Sequence, residues 1–407
     1  MDLGEIQRAI ESLPIAAEQQ LVPWLKARAR ARKYPWRKPR PAVVRPPATL
    51  RDAVRWTALT LLCFLATEGI IFHSGLYSHY LEPDSSAGVL EGQMTWLGDT
   101  PAGAKPEIFL VGDSRIAEGF SARTAIESAG GRYDFWNLGV PGTSPRVWYY
   151  MVRDALSSHR APAAIVVGLD HYSDVDAIEK PQSRVSDTNF LTGRLTLADC
   201  YDFAASMEVP EFWSPPLVGC LFRGLPLRAD VHEFLLHPRA RIRRSRDFRI
   251  HGHGYIDGYG GKLEVLTGLR VDLAKRSFYF PPDLKNWQKE SITNTLRFDV
   301  ATQTGDVTRY RRQWLGRLAG LLAGSRTRLI FVEMPRGPLP FPDATEPARF
   351  VNQAITQRGV SALPADLFHD LERPDLFADG LHLNVTGRNL FSTRLGQRIA
   401  AELGAGR

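Results

Sequence analysis

The chain has 407 residues, of which 44% are hydrophobic and 23% charged, an ordinary composition for a globular protein. Its formal net charge of +7 is uneven: residues 1–55 hold twelve Lys/Arg and five Asp/Glu, and the rest of the chain holds 39 of each sign. The main part is therefore neutral overall, which excludes a diffuse nucleic-acid footprint over it.

The N-terminal segment divides into a tail and a linker. Residues 1–33 carry apolar side chains at helical spacing, interrupted by Pro14 and Pro23, which predicts a small cytoplasmic helical tail. That tail either lies on a membrane or a partner through its apolar side, or is mostly solvated. Residues 34–55 combine five prolines with interspersed Arg and Lys, which predicts a basic linker.

Residues 56–72 form an apolar run of seventeen, broken by Glu68, at the short limit for a membrane span. The alternatives are a buried helix of a soluble protein and a signal sequence, but no small-x-small cleavage site follows Phe72. Basic residues flank only the N-terminal side, so the positive-inside rule predicts a single-pass protein of the cytoplasmic (inner) membrane with its N-terminus in the cytoplasm. The main domain is then periplasmic or otherwise extracytoplasmic. Glu68 lies near the far interface or against a protein partner, and residues 73–104 form a membrane-proximal connector.

The segment 107–115 is typical of a buried strand that ends at a glycine and leads into a helix. Gly112 permits the sharp turn, and Ser114 follows at the helix start. Ligands of open α/β sheets bind outside the carboxyl ends of the strands, so Ser114 is placed for chemistry. The alternative is that Asp113 and Ser114 only cap the helix.

Two further strands are predicted at residues 133–140 and 163–169. A glycine-bearing turn follows the first strand, and the second strand ends in one. Their loops carry Gly142 and Asp170 at the predicted carboxyl edge of the sheet. Backbone N–H groups at this edge are placed to bind a developing oxyanion.

Asp379 and His382 stand just before a helical pattern at residues 385–403. A serine hydroxyl needs a base, usually histidine, and the histidine needs a carboxylate that fixes its tautomer. An Asp three residues before a His, with Gly380 allowing a bend, can put both side chains on one side of a loop. In the alternative interpretation Asp379 caps a turn and His382 is an ordinary surface histidine.

Residues 171–305 separate the third and fourth predicted core strands and are too long for an ordinary crossover. We expect an insertion with structure of its own that caps the carboxyl-end face of the sheet. Cys200 and Cys220 are either bridged across a twenty-residue loop or free. The alternating His251 and His253 have no evident third ligand, so we expect neither a metal site nor a cofactor.

An arginine-rich arm in the insertion either binds an anionic polymer or lipid headgroups, or is a solvated face. Its members are Arg239, Arg241, Arg243, Arg244, Arg246 and Arg249. After the insertion, the core resumes over residues 306–407, with a predicted helix at 306–325 and strands at 328–335 and 360–364. Strands that alternate with helices through right-handed crossovers predict a five-stranded parallel sheet.

Taken in order, the blocks Gly112-Asp113-Ser114, residues 137–142, Gly168-Leu169-Asp170 and Asp379-Gly380-Leu381-His382 resemble those of the SGNH (GDSL-type) hydrolase superfamily. The resemblance covers residues 105–170 and 325–403. It implies a flavodoxin-like three-layer α/β/α sandwich with strand order 2-1-3-4-5. With the insertion and the apolar run added, the expected fold is this α/β sandwich with a large central insertion and one N-terminal transmembrane helix.

The resemblance also implies roles for individual residues. Ser114 corresponds to the nucleophile, His382 to the general base and Asp379 to its orienting partner. The oxyanion hole is implied at the backbone N–H groups of Ser114 and Gly142, with Gly139 as the alternative to Gly142.

One position departs from the family pattern. The third block of the family reads Gly-x-Asn-Asp, in which the Asn donates to the oxyanion, whereas this chain has Asp170 followed by His171. An ionised Asp only accepts hydrogen bonds. Asp170 is therefore protonated, turned elsewhere or used in substrate binding, and His171 or a residue of the insertion replaces the missing donor.

The resemblance and the predicted topology together imply an extracytoplasmic serine esterase or O-acyltransferase, with acetyl the expected acyl group. The expected substrate is a cell-surface or exported polysaccharide, with a membrane-embedded acyl-donor or export protein as a candidate partner. The departure at Asp170 favours a second hypothesis, a catalytically weak accessory protein of the same fold that binds glycan or partners in a polysaccharide export complex.

Overall fold

The computed structural model describes residues 49–158, 161–172, 186–207, 210–251, 259–272, 277–295, 307–339 and 349–404. The predicted tail at residues 1–33 and all but the end of the linker lie outside these ranges. The chain divides into two compact units, residues 1–64 and residues 65–407.

The first described element is an apolar helix. Helix α1 (Leu50–Thr67) continues as a π-helical turn over Glu68–His73, so the predicted run 56–72 lies within one continuous helical stretch. The stretch Leu50–His73 is long and apolar enough to cross a membrane. None of the residues of α1 is buried, and large apolar side chains such as Trp56 and Leu62 are exposed.

The second unit is built on a five-stranded parallel sheet, which confirms the predicted mixed α/β architecture. Its strands are β1 (Glu107–Gly112), β2 (Asp134–Gly139), β3 (Ala164–Leu169), β6 (Arg328–Glu333) and β7 (Val360–Ala362). They lie in the order β2-β1-β3-β6-β7, which is 2-1-3-4-5 when only core strands are counted. The two remaining described strands, β4 (Arg270–Asp272) and β5 (Ser277–Tyr279), pair as an antiparallel ribbon.

Thirteen helices of the described residues follow α1, besides short 3₁₀ turns. They are α2 (Ser86–Asp99), α3 (Ser114–Gly119), α4 (Ala122–Ser128), α5 (Pro145–Ser157), α6 (Asp187–Leu191), α7 (Asp199–Ala205), α8 (Ser214–Leu221), α9 (Arg228–Leu236), α10 (Pro238–His251), α11 (Asn286–Thr295), α12 (Val307–Leu322), α13 (Arg349–Ala354) and α14 (Val385–Gly404).

Both faces of the sheet are buried, which explains why its strands are apolar without polar alternation. Phe109 and Val111 point into a core shared with α5 and α12. Ile108 and Leu110 point into a second core shared with α4 and α14. Each fully buried side chain of this size contributes about 1.5–3 kcal/mol relative to exposure. Helix layers therefore cover both faces and leave the strand ends for the site.

Described parts of the insertion pack into both cores, and α9 packs against a third, smaller cluster around Tyr77 and Leu81. Leu191 and Phe203 join the α5–α12 side, whereas Leu266 and Ile292 join the α4–α14 side. A disulfide bond joins Cys200 of α7 to Cys220 of α8. That the insertion caps the strand ends stays a prediction, but its described segments are anchored on both faces of the sheet.

The acidic residue in the apolar run has a partner within its own unit. Glu68 is buried, and its carboxylate accepts hydrogen bonds from the Gly224 N–H at 3.1 and 3.3 Å. Arg223 donates to the Phe72 carbonyl at 3.1 Å. The end of the apolar helix is thus held against the loop between α8 and α9. Glu68, which the sequence places near the far interface or against a protein partner, thus contacts a loop of its own chain.

Candidate active site

Ser114 is the first residue of α3 and follows directly on the turn after β1. The residue before it, Asp113, is the helix N-cap and accepts the Arg115 N–H at 2.9 Å. Capping is therefore done by the Asp of the Gly-Asp-Ser sequence. The Ser114 hydroxyl is left to contact another element.

That element is the loop between the 3₁₀ turn at Pro374–Leu376 and α14. His382 Nε2 lies 2.9 Å from Ser114 Oγ, and His382 Nδ1 lies 2.9 Å from both carboxylate oxygens of Asp379. Asp379 Oδ1 also accepts the backbone N–H groups of Leu381 and His382 at 2.9 Å, which shapes the bend. The structure thus brings the three residues singled out as nucleophile, base and orienting acid into one chain of contacts.

The carboxylate of this group is set up to stay charged. Burial of Asp379 opposes ionisation, but the hydrogen bond and charge of His382 outweigh it and hold the pKa of Asp379 well below its usual range. An ionised Asp379 accepts the Nδ1 proton of His382. Nε2 then faces Ser114 as the acceptor. This is the tautomer in which His382 can take the hydroxyl proton.

Two charged residues that the sequence analysis did not identify complete the site. Lys262 Nζ lies 2.9 Å from Asp379 Oδ2, 3.3 Å from His382 Nδ1 and 2.8 Å from Glu118 Oε2. Glu118 Oε1 is 3.9 Å from His382 Nε2. Glu118 stands four residues after Ser114 on α3, so the helical spacing was a usable signal. Lys262 is remote in sequence and carries no such signal.

The insertion delivers Lys262 through backbone contacts beside the His382 loop. The Val385 N–H donates to the Lys262 carbonyl at 2.8 Å, and the Leu266 N–H donates to the Pro374 carbonyl at 3.2 Å. Leu266 is fully buried, which anchors this segment. Burial lowers the pKa of Lys262, but Glu118 and Asp379 outweigh burial and raise it above its usual range, so the ammonium stays charged.

The two glycines considered for the oxyanion hole have different surroundings. Gly139 donates its N–H to Asn137 Oδ1 at 3.0 Å, and a Cβ at this position would lie 2.3 Å from the Ala117 nitrogen. Gly139 is therefore needed for close packing. Gly142 is exposed, has a φ of 76°, and its N–H makes no hydrogen bond within the described residues. Gly142 is the better placed of the two to donate to a ligand.

Contacts with the end of β1 hold the Gly142 loop beside the Ser114 turn. The Val140 N–H donates to the Gly112 carbonyl at 3.0 Å, and Thr143 Oγ1 donates to the same carbonyl at 3.3 Å. On the other side of the turn, Asn137 Nδ2 contacts three carbonyls of α3 and its C-cap, at 3.0–3.1 Å. These are the carbonyls of Ile116, Ala117 and Phe120. Buried Asn137 thus fixes α3, a role that sequence analysis left unassigned.

Asp170 and His171 lie at the end of β3, in a separate ionic cluster. Arg311 of α12 donates to Asp170 Oδ1 at 2.7 Å and also to the His171 carbonyl. No hydrogen bond joins this cluster to Ser114, His382 or Asp379 in the described part of the chain. These two predicted site residues make no hydrogen bond to the Ser114 group among the described residues, although the charge of Arg115, next to Ser114, acts on Asp170.

Asp170 is ionised in this setting. Burial opposes its ionisation, but the charges of Arg311 and His171 outweigh burial and hold the pKa of Asp170 well below its usual range. Of the three interpretations of Asp170, these contacts favour a carboxylate turned to Arg311 over a protonated acid.

Glu333, at the end of β6, has a pKa raised to about 7. Burial and the charges of Asp170 and Glu372 raise this pKa, and they outweigh the Tyr172 N–H and Arg336, which lower it.

The described residues contain no cluster of three His, Cys, Asp or Glu side chains that could hold a metal ion. His253 lies outside the described ranges, as does most of its glycine-rich loop. We identify no cofactor-holding arrangement among the described residues. No protein-family model matches the chain, and no curated protein matches it.

Proposed function

We propose that this chain is an SGNH-type serine esterase or O-acyltransferase that forms an acyl-enzyme on Ser114. The observation that carries the proposal is the contact chain Ser114–His382–Asp379, with both links at 2.9 Å. It lies at the carboxyl edge of a parallel sheet, where ligands of such folds bind. A serine, an imidazole and an ionised carboxylate in this order are the groups that acyl transfer requires.

In the proposed reaction, Ser114 Oγ attacks the carbonyl carbon of an ester while His382 Nε2 takes the hydroxyl proton. Asp379 stabilises the resulting imidazolium. When the tetrahedral intermediate collapses, the carbon–oxygen bond to the alcohol breaks and His382 returns the proton to that alcohol. Water or a sugar hydroxyl then loses a proton to His382 and attacks the acyl-enzyme, which releases Ser114 with its proton restored.

The developing oxyanion receives hydrogen bonds from the backbone N–H groups of Ser114 and Gly142. The ionised Asp170 is committed to Arg311, so it adds no third donor. Loss of one oxyanion donor lowers turnover by about 10²–10³-fold in serine hydrolases. We therefore propose an enzyme that works with two backbone donors and is slower than one with three.

The proposed location is the outer side of a cytoplasmic membrane, with the N-terminus inside. It is supported by the apolar helix ending at His73 and by the basic residues on its N-terminal side only. The Cys200–Cys220 disulfide bond is consistent with an oxidising compartment. There the proposed substrate is an exported or cell-surface polysaccharide, with an acetyl donor supplied at the membrane.

The ion pair of Asp170 with Arg311 favours a second candidate function. A chain with a weak oxyanion hole serves as an accessory protein that binds glycan or an export partner without turnover. The intact Ser114 group makes this the second choice.

A serine-directed phosphonate and an aryl acetate separate the two candidates, using the full chain in detergent. We expect the phosphonate to label the wild type at Ser114 and the acetate to be hydrolysed. We expect Ser114→Ala and His382→Ala to abolish both, with a loss of turnover of more than about 10⁴-fold. The matched control is Ser157→Ala, which removes an exposed hydroxyl of α5 and should leave both signals unchanged.

An inert wild type that still binds polysaccharide would reject the enzyme and support the accessory function. Labelling that persists in Ser114→Ala would place the nucleophile elsewhere. Melting temperatures of all variants show that the comparison is made between folded proteins.

A further inference from the structure

The helical hairpin α9–α10 presents two faces of different character. Its inner face is bound to the segment just after the apolar helix, because Arg241 lies 3.0 Å from Glu82 Oε2 and donates to the Tyr80 carbonyl at 3.2 Å. Within the hairpin, Arg241 also lies 2.9 Å from Asp230 Oδ1 of α9. Arg244 pairs with Glu82 at 2.7 Å. These arginines are therefore used within the fold.

Apolar packing supports the same attachment. Val231 and Phe234 of α9 pack against Tyr77 and Leu81, with the rings of Tyr77 and Phe234 5.9 Å apart. Phe72, in the last turn of the apolar helical stretch, belongs to this cluster as well. The hairpin is thus fixed within a few residues of the point where the apolar stretch ends.

The outer face carries three arginines that make no ion pair with any described residue. Arg239, Arg243 and Arg246 are spaced by four and three residues, which places them on one side of α10. All three are exposed, and none makes an ion pair with a described residue. Together with Ile242 and Asp247 they line a surface depression of about 470 Å³.

Three exposed aliphatic side chains belong to the same hairpin: Ile242 lines the depression with the arginines, and Leu235 and Leu236 end α9 shortly before Arg239. Leu235 is 70% exposed, Leu236 is 56% exposed and Ile242 is 46% exposed. A basic helix face with neighbouring exposed aliphatic residues matches the boundary between phospholipid headgroups and acyl chains. Sugar rings stack on aromatic side chains, and none of the described residues that line this depression is aromatic.

We propose that the outer face of α9–α10 binds the anionic phospholipid headgroups of the membrane that α1 crosses. The arginines pair with the phosphates, and Leu235, Leu236 and Ile242 enter the headgroup–acyl boundary. The contact sets the orientation of the Ser114 site above the membrane surface. The inference rests on the membrane span included in the proposed function, but not on catalysis.

The test uses the full chain with Cys63→Ser and Ala240→Cys, which puts one reactive thiol in the first turn of α10. An environment-sensitive fluorophore on residue 240 is monitored in bilayers whose acyl chains carry bromine quenchers. The bilayers contain phosphatidylcholine alone or mixed with phosphatidylglycerol. We expect strong quenching only with phosphatidylglycerol, and reversal by salt because the contact is electrostatic.

The arginine variant Arg239→Gln/Arg243→Gln/Arg246→Gln should lose this quenching. Each arginine near an anionic surface changes the binding equilibrium by about fivefold. The matched control Arg326→Gln/Arg358→Gln/Arg398→Gln removes the same charge from exposed arginines elsewhere. It should behave as the wild type does.

Equal quenching in both bilayers, or full quenching in the arginine variant, would overturn the proposal. Displacement of the probe signal by a soluble polyuronate at constant salt would also overturn it, in favour of a polymer site. Resistance to alkaline carbonate extraction reports the span separately, and aryl acetate turnover reports the enzyme. Failure of either is therefore distinguishable from failure of headgroup binding.

Discussion

Asp379 and Asp170 are two buried or partly buried carboxylates at the same edge of one sheet, and both are held ionised. Asp379 is held by His382, which in turn contacts Ser114. Asp170 is held by Arg311 of α12, which lies 2.7 Å from its Oδ1. The same electrostatic principle therefore holds one carboxylate against a histidine and the other against an arginine.

The difference shows that the partner of a carboxylate decides its chemical role. A histidine alternates between neutral and charged forms near neutral pH, so Asp379 can stabilise a charge that appears during the reaction. A guanidinium offers no such change, so the Asp170–Arg311 pair can only fix the loop after β3 to α12. Under the proposed function, we call the Ser114 group the active end of the site and the surroundings of Asp170 its structural end.

Among changes to the two carboxylates and their neighbours, the largest expected effect comes from Asp379→Asn. The amide cannot stabilise the imidazolium and favours the wrong tautomer of His382, so turnover should fall on the order of 10³–10⁴-fold. Aryl acetate hydrolysis by the folded variant measures it. Asp375→Asn removes an exposed carboxylate four residues earlier and is the control. Turnover within about tenfold of the wild type in Asp379→Asn would remove Asp379 from the active end.

Lys262→Met tests the charge beside the active end. Without the ammonium, Glu118 is no longer neutralised and, at 3.9 Å from Nε2, competes with Ser114 for a protonated His382. We expect roughly tenfold lower turnover at neutral pH and an acid limb of the pH–rate profile displaced to higher pH. Lys285→Met, at an exposed lysine, is the matched control. An unchanged profile would assign Lys262 to loop structure alone.

Asp170→Asn restores the amide of the family pattern and is the direct test of the structural end. Losing the charge opposite Arg311, whose side chain is 8% exposed, should cost about 1–3 kcal/mol of unfolding free energy without raising turnover. Asp202→Asn on α7 breaks a solvent-exposed pair with Arg317, which lies on α12 as Arg311 does. This change should cost much less unfolding free energy. A rise in turnover near 10²-fold would contradict the assignment and make residue 170 an oxyanion donor.

The smallest expected effect is a pH dependence from Glu333 at the structural end. Its pKa is raised from 4.5 to about 7, so the folded state binds a proton more tightly than the unfolded state. Stability from this group is fully present below pH 4.5 and is lost as the pH rises through 7. Glu333→Gln should flatten that slope in melting temperatures measured between pH 5 and 8, and Glu290→Gln should not. An unaltered slope in Glu333→Gln would assign the dependence to other groups.

Much of the fold follows from local patterns in the sequence. The buried run at 108–111 predicts a central strand because parallel strands covered on both faces need no polar alternation. The helix predicted at 385–403 is observed as Val385–Gly404, and the helix predicted at 306–325 as Val307–Leu322. Ser114, Asp379 and His382 could be selected because the ordered blocks that contain them resemble those of a known superfamily, whereas residue type and local spacing alone left capping roles open.

Other properties depend on long-range contacts and could not be selected in this way. Lys262 meets Asp379 across 117 residues, and Arg311 meets Asp170 across 141 residues. Glu68 interrupts an apolar run in the sequence, yet it is satisfied by the Gly224 N–H. No periodicity encodes these pairings, because they arise only when separate segments pack together.

The sequence by itself therefore determined the five core strands, the helices at 306–325 and 385–403 and the apolar run, since these depend on near neighbours. Only the tertiary structure decided that Gly139 packs against Ala117 while Gly142 remains exposed. It also decided that Asp379 has a histidine as its partner while Asp170 has an arginine. The physical reason is that charge and hydrogen bonding act through space, so the role of a carboxylate is set by what the fold places within about 3 Å of it.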